Sequence, residues 1–111
     1  MNTAKKEDLA ACAQICLDCS RVCAQTLTSC LGKGGPHAEV GHIQELVDGI
    51  LMCQTTACLL LRGSNSFSAV CASCAEVCDR CANGCEGWND PEMDLCAVEC
   101  RSCSEGCRSL T

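Results

Sequence analysis

The sequence predicts an all-α fold, an antiparallel up-down-up-down four-helix bundle with a cysteine-lined core, and two observations carry that expectation. Turn-forming residues divide the 111-residue chain into four segments, and three of the four carry one cysteine template at helical spacing. Connections of about four or five residues fold each helix back against its neighbour. The length is that of a single domain, residues 1–111, with little room for a large core.

The first helix, about 5–31, carries CAQICLDCSRVC from Cys12 to Cys23. It stops at LGKGGP, where glycines loosen the backbone and Pro36 lacks an N–H. The second, about 37–62, ends at Gly63, which is placed to cap its C-terminus. The GSNSFS loop follows, offering Ser64, Asn65 or Ser66 as N-cap of a third helix over about 66–86. In GWNDPE, Asp90 caps and Pro91 takes the first position of the fourth helix, about 91–109.

The repeat is C-A-x-x-C-x-x-C-x-x-x-C. It places Cys12, Cys16, Cys19 and Cys23 on the first helix, Cys74, Cys78, Cys81 and Cys85 on the third, and Cys96, Cys100, Cys103 and Cys107 on the fourth. Cys71 extends the third helix's row, and Cys30 extends the first by a heptad, with Leu27 at the intervening seam position. At about 100° per residue the first and fourth rows each occupy a stripe only about 60° wide, so the sulfurs face the bundle axis while Asp18, Arg21, Glu76, Asp79 and Arg101 face out. The second helix departs from the template with only Cys53 and Cys58. Its expected inward face is Ile43, Leu46, Ile50, Ala57 and Leu61, with both cysteines at the stripe's edges. Leu51, Met52 and Leu59 lie on other sides, and this excess of apolar surface predicts self-association.

Composition directs the chemistry. Sixteen residues are cysteine, and Phe67 and Trp88 are the only aromatics, so sulfur fills space that large side chains usually take. MNTAKKEDLAA has no apolar h-region and no run is long enough to span a bilayer, which predicts a cytoplasmic protein with reduced thiols rather than a secreted disulfide scaffold. A net charge of −6 excludes a nucleic-acid surface. Neighbouring thiols within one helix have near-parallel side-chain vectors, a poor match to the disulfide dihedral. Buried cysteine also serves as a small hydrophobe, but Ala, Val or Leu would do that at three repeated rows without oxidation risk.

Metal binding remains. Thiolate selects soft ions, chiefly Cu(I), with zinc and iron–sulfur clusters in competition. Four zinc tetrathiolate sites would seal about eight negative charges into the bundle, whereas one Cu(I) per thiolate is neutral. Bridging thiolates then give a capacity on the order of 16 ions, about one per cysteine. The ferredoxin spacing C-x2-C-x2-C-x3-C-P is absent. Two alternatives to a Cu(I) store stay open: a general zinc or soft-metal thiolate buffer, and a thiol-redox protein using Cys16/Cys19, Cys71/Cys74, Cys78/Cys81 and Cys100/Cys103. A redox pair, however, usually sits at a helix N-terminus after a strand.

With these features the chain resembles the bacterial copper storage proteins, in particular cytosolic members, over essentially its whole length. The resemblance implies a non-enzymatic store of many Cu(I) ions, each held mostly by two thiolates, in a homotetramer of four-helix bundles. It implies as ligands the template cysteines together with Cys30, Cys53, Cys58 and Cys71. A copper chaperone or a client copper enzyme is the partner such a store would have.

Antiparallel topology also brings Cys30, Cys85, His37, His42 and Met93 to one end. Thiol, imidazole and thioether together predict a mouth where exchangeable ligands pass Cu(I) inward, with His42, Met93 and His37 as its ligands and Trp88 as a packing lid. The opposite end holds Cys12, Cys58, Cys71 and Cys107.

Overall fold

The computed structural model describes residues 4–111. Helices α1 (Lys6–Lys33), α2 (Val40–Leu61), α3 (Phe67–Cys85) and α4 (Pro91–Arg108) form a rod of 46 × 19 × 17 Å. Each helix packs on two neighbours, α1 and α3 both lying against α2 and α4. Cys12 meets Cys107 while Cys23 meets Cys96, and Cys30 meets His42. Successive helices are therefore antiparallel, and α1 and α3 run parallel across the diagonal. No strand is present among the described residues.

The ends follow from local chemistry. Asp8 accepts from the backbone N–H of Lys5, and Glu7 and Asp8 complement the N-terminal dipole of α1. The helix runs to Lys33 and stops where Gly34 and Gly35 adopt φ of +66° and +56°. Pro36 then opens a 3-10 turn, Gly35–Ala38, so α2 begins at Val40 rather than near His37, because Glu39 is extended at ψ 141°. Gly63 ends α2 in a Schellman motif, with its N–H donating to Leu60 O and that of Ser64 to Leu59 O. Ser66 occupies the N-cap of α3, its N–H donating to Ser64 Oγ. Asp90 caps α4 by accepting from Glu92 N at 3.0 Å, with Pro91 following it.

Two seam assignments differ from expectation. On α1 the buried row is Cys12, Cys16, Cys19, Cys23, Thr26 and Cys30, with Thr26 in the place expected for Leu27. The alternating four- and three-residue steps simply continue, and Thr26 Oγ1 satisfies itself on Val22 O at 2.8 Å. On α2 the same rhythm buries His42, Leu46, Gly49, Cys53, Thr56 and Leu60. Ile43 and Ile50 are only half-buried at its flank, and Leu61 is exposed. Cys53 thus sits in the centre of the seam, and not at its edge. Three thiol rows leave a narrow axial groove for α2, and the face that fits it wins over the face with more aliphatic carbon.

The template's alanine has a structural role. Ala13, Ala75 and Ala97 are buried beside the cysteine rows, where a methyl group lets helices approach closely. Leu46, Leu60 and Met93 are the bulkiest of the fully buried side chains. Sulfur and alanine supply most of the remaining interior.

Candidate metal centre

Each cysteine row turns inward because its steps keep it on one helical face, and four seams converge on the axis. All sixteen cysteines are free thiols, and every one except Cys58 is buried. Cys58 corrects the sequence expectation: it lies on the outer surface of α2, two residues past the seam position Thr56, and joins none of the interior sulfur groups.

Fourteen of the other sulfurs form a continuous chain, and Cys30 stands apart from it with His42 and Met93. Cys12, Cys71 and Cys107 occupy one end, and Cys107 is shared with a group of Cys16, Cys74 and Cys103. Cys103 in turn belongs with Cys19, Cys53 and Cys78, a group that takes sulfur from all four helices. Cys19 reaches Cys100 at 3.8 Å, leading to the group of Cys23, Cys81, Cys96 and Cys100. Cys85 continues from Cys81 and Cys96 through side-chain hydrogen bonds. Within each group the ligand atoms lie within 4.8 Å of one another. A thiolate–metal bond of about 2.3 Å lets one two-coordinate ion link sulfurs up to about 4.6 Å apart, so the spacing suits bridging ions.

Protonation follows from hydrogen bonding and burial. Cys53 is pushed far above the ordinary thiol range, first by its hydrogen bond with Cys103 and then by Cys19, Cys74, Cys78 and desolvation. Cys100 is raised in the same way, with Cys19 as the leading partner. Their counterparts move down: hydrogen bonding from Cys100 lowers Cys19, and from Cys103 lowers Cys74. At the rim of the chain, hydrogen bonding to Cys107 lowers Cys71, but Cys12 and burial outweigh it and leave the thiol at about 12. The interior is therefore a set of shared S–H protons that an incoming cation displaces.

No lysine, arginine, aspartate or glutamate is buried among the described residues, where the buried polar side chains are Ser20, Thr26, His42, Thr56 and Ser104. The thiol row thus has no fixed counter-charge. All four C-x-x-C pairs are buried, with exposure of 1% or less, closed to a protein reductant.

At the other end Cys30 Sγ lies 3.5 Å from His42 Nε2 and 3.5 Å from Met93 Sδ, bringing together the expected thiol, imidazole and thioether. Burial lowers the pKa of His42 and raises that of Cys30, which leaves a neutral ring beside a protonated thiol. Trp88 covers the site, 5.3 Å from the His42 ring, and donates its indole N–H to Gly84 O at 2.7 Å. His37 is outside this group. It packs on Trp88 at 4.3 Å and lies 3.4 Å from Asp90, which is also held by Lys33 at 2.6 Å. Cys85 is a step further inside, with Cys81 and Cys96. Glu45 escaped the sequence reading: its carboxylate lies over Gly84, close to the His42 ring, and its only signal was a position three residues after His42.

Comparison with known proteins agrees with this geometry. Residues 5–111 match the family described as copper storage protein. An uncharacterised cysteine-rich protein of Bacillus subtilis, YhjQ, is 29% identical over 100 residues, covering 90% of this chain and 93% of that one. The structure of the Nmul_A1745 protein of Nitrosospira multiformis superimposes with a TM-score of 0.90 at 36% identity, covering 96% of each chain. The Cu(I)-bound copper storage protein BsCsp3 superimposes at 0.85 with 29% identity, over 90% of this chain and 94% of that chain. The apo form of Csp3 from Bacillus subtilis does so at 0.82, with the same identity and 95% of its chain covered.

Proposed function

The chain belongs to the copper storage protein family, and from that premise we propose that it stores many Cu(I) ions along its axis on the fifteen buried thiols, in the cytoplasm, without catalytic turnover. The carrying observation is the absence of any buried cation beside those thiols among the described residues. Zinc tetrathiolates would leave uncompensated charge there, whereas Cu(I) with one thiolate each keeps the interior neutral. An ion displaces a proton wherever it meets a thiol that hydrogen bonding and burial raise, as at Cys53 and Cys100, and not where hydrogen bonding lowers the thiol, as at Cys19 and Cys74. The ligands are Cys12, Cys16, Cys19, Cys23, Cys30, Cys53, Cys71, Cys74, Cys78, Cys81, Cys85, Cys96, Cys100, Cys103 and Cys107.

Anaerobic titration of the reduced protein with Cu(I) and with Zn(II), against a competing chelator, tests the proposal. We expect uptake of roughly one Cu(I) per buried thiol, unchanged by Cys58→Ser, and far weaker zinc binding. Saturation near about four ions, or preference for zinc, would refute storage of Cu(I) and leave a zinc buffer.

Cu(I) is admitted at the Cys30, His42 and Met93 end, where all three soft ligand types meet. Replacing His42→Ala together with Met93→Leu should slow uptake several-fold while final capacity is retained. An uptake rate equal to the parent would remove this assignment. Assembly into a homotetramer is part of the same proposal, supported by Val40, Leu51 and Leu61 exposed on α2, and light scattering that finds only monomer would exclude it. A copper chaperone or client copper enzyme would exchange ions with the loaded protein.

A further inference from the structure

Gly49 stands in the middle of α2, buried in the seam between Leu46 and Cys53. Glycine is the poorest helix-interior residue after proline, so its place there needs a cause. The backbone supplies none: the glycines that require positive φ are Gly34, Gly35, Gly63 and Gly87. Neither does packing. A Cβ added to Gly49 would lie 3.6 Å from Cys23 Sγ, 3.7 Å from Cys81 Sγ and 3.9 Å from Cys81 Cβ, which are ordinary contacts. Alanine would therefore fit the metal-free bundle and favour the helix.

The two sulfurs that this Cβ would touch come from α1 and α3, which face each other across the diagonal. They belong to the Cys23, Cys81, Cys96 and Cys100 group, which has sulfur from three helices and Gly49 on the α2 side. In the neighbouring group Cys53 completes the fourth wall. A metal between Cys23 and Cys81, with bonds of about 2.3 Å to each, would come within about 2.8 Å of such a methyl carbon if it lay on the line joining the sulfurs. That is well inside the usual contact of about 3.5 Å or more, and an ion displaced toward α2 would be closer still.

We infer that Gly49 is a capacity-determining residue, whose missing side chain leaves room on the α2 wall for a Cu(I) ion shared by Cys23 and Cys81. This rests on the storage reading above. Because glycine costs helix stability and gives the empty bundle nothing in return, the space is explained by the cargo.

Native mass spectrometry of anaerobically loaded protein counts ions per chain as integers and is paired with thermal melting of the apo forms. Gly49→Ala is compared with Gly41→Ala, an exposed α2 glycine with nothing within 4 Å of its added Cβ. Apo Gly49→Ala should melt at or above the parent and saturate with about one Cu(I) ion fewer, whereas Gly41→Ala should match the parent count. A parent-like count for Gly49→Ala overturns the inference. So does an apo melting temperature clearly below the parent, which would assign the glycine to the fold itself. If the parent also fails to take up Cu(I), the storage reading has failed, and the two failures are thereby distinguished.

Discussion

Saturating the reduced protein with Cu(I) is expected to raise its melting temperature by more than about 20 °C. A ligand that binds the folded chain stabilises it by about 4 kcal/mol for one site at a thousandfold excess over its dissociation constant. For a domain of roughly this size about 1 kcal/mol moves the midpoint by about 4–8 °C, so a single tightly filled site reaches that shift. The bundle offers four interlinked sulfur groups, and ions shared between them tie α1 to α3 and α4 through Cys16, Cys74 and Cys103, and to α2 through Cys53. Unfolded thiols also bind Cu(I), which reduces the gain. They cannot reproduce an array assembled from four helices. Anaerobic calorimetry of apo and loaded protein reads the difference, and a shift under about 5 °C would contradict a preformed interior site.

Leu46→Ala is expected to destabilise the apo protein by about 2–5 kcal/mol and to lower its midpoint by ten degrees or more. Leu46 is 0% exposed, and the other large aliphatic side chains buried to a similar degree are Leu60 and Met93. Cysteine buries less apolar surface than leucine, so a core of sulfur and alanine leans heavily on the few bulky groups it has. The outward-facing control is Leu51→Ala, at 57% exposure, with an effect within about 0.5 kcal/mol. Urea unfolding under reducing conditions measures both. Cu(I) loading should recover much of the Leu46→Ala loss, since metal then supplies cross-helix links where carbon is missing. Equal stability of the two apo variants would show that α2 is not held through this seam.

Local signals made most of the architecture legible. The turn residues around Gly34, Gly63 and Asp90 act on their own neighbours, and each ends or starts a helix as its chemistry dictates. The template is likewise local: a row of cysteines at steps of four and three can only lie on one helical face. Three rows of such faces, together with the short connections, were enough to anticipate a sulfur-lined axis and its match to the copper storage proteins. The meeting of Cys30, His42 and Met93 was legible for the same reason, since antiparallel topology alone brings them to one end.

What a helix without the template would present to that axis was decided only in three dimensions. Counting apolar residues favoured Ile43, Ile50 and Leu61 on α2, but the groove between the other helices admits the row containing Gly49, Cys53 and Thr56. One consequence puts Cys53 among sulfurs from three other helices, and another turns Cys58 outward. The positions of His37 and Glu45 were settled in the same way, by the packing of neighbours distant in sequence. Sequence alone determined the helices, their sulfur faces and the soft-metal chemistry, because periodicity and turn preference are short-range. Tertiary structure decided which thiols meet, which one is left outside and where space remains among them, because packing is a property of several surfaces at once.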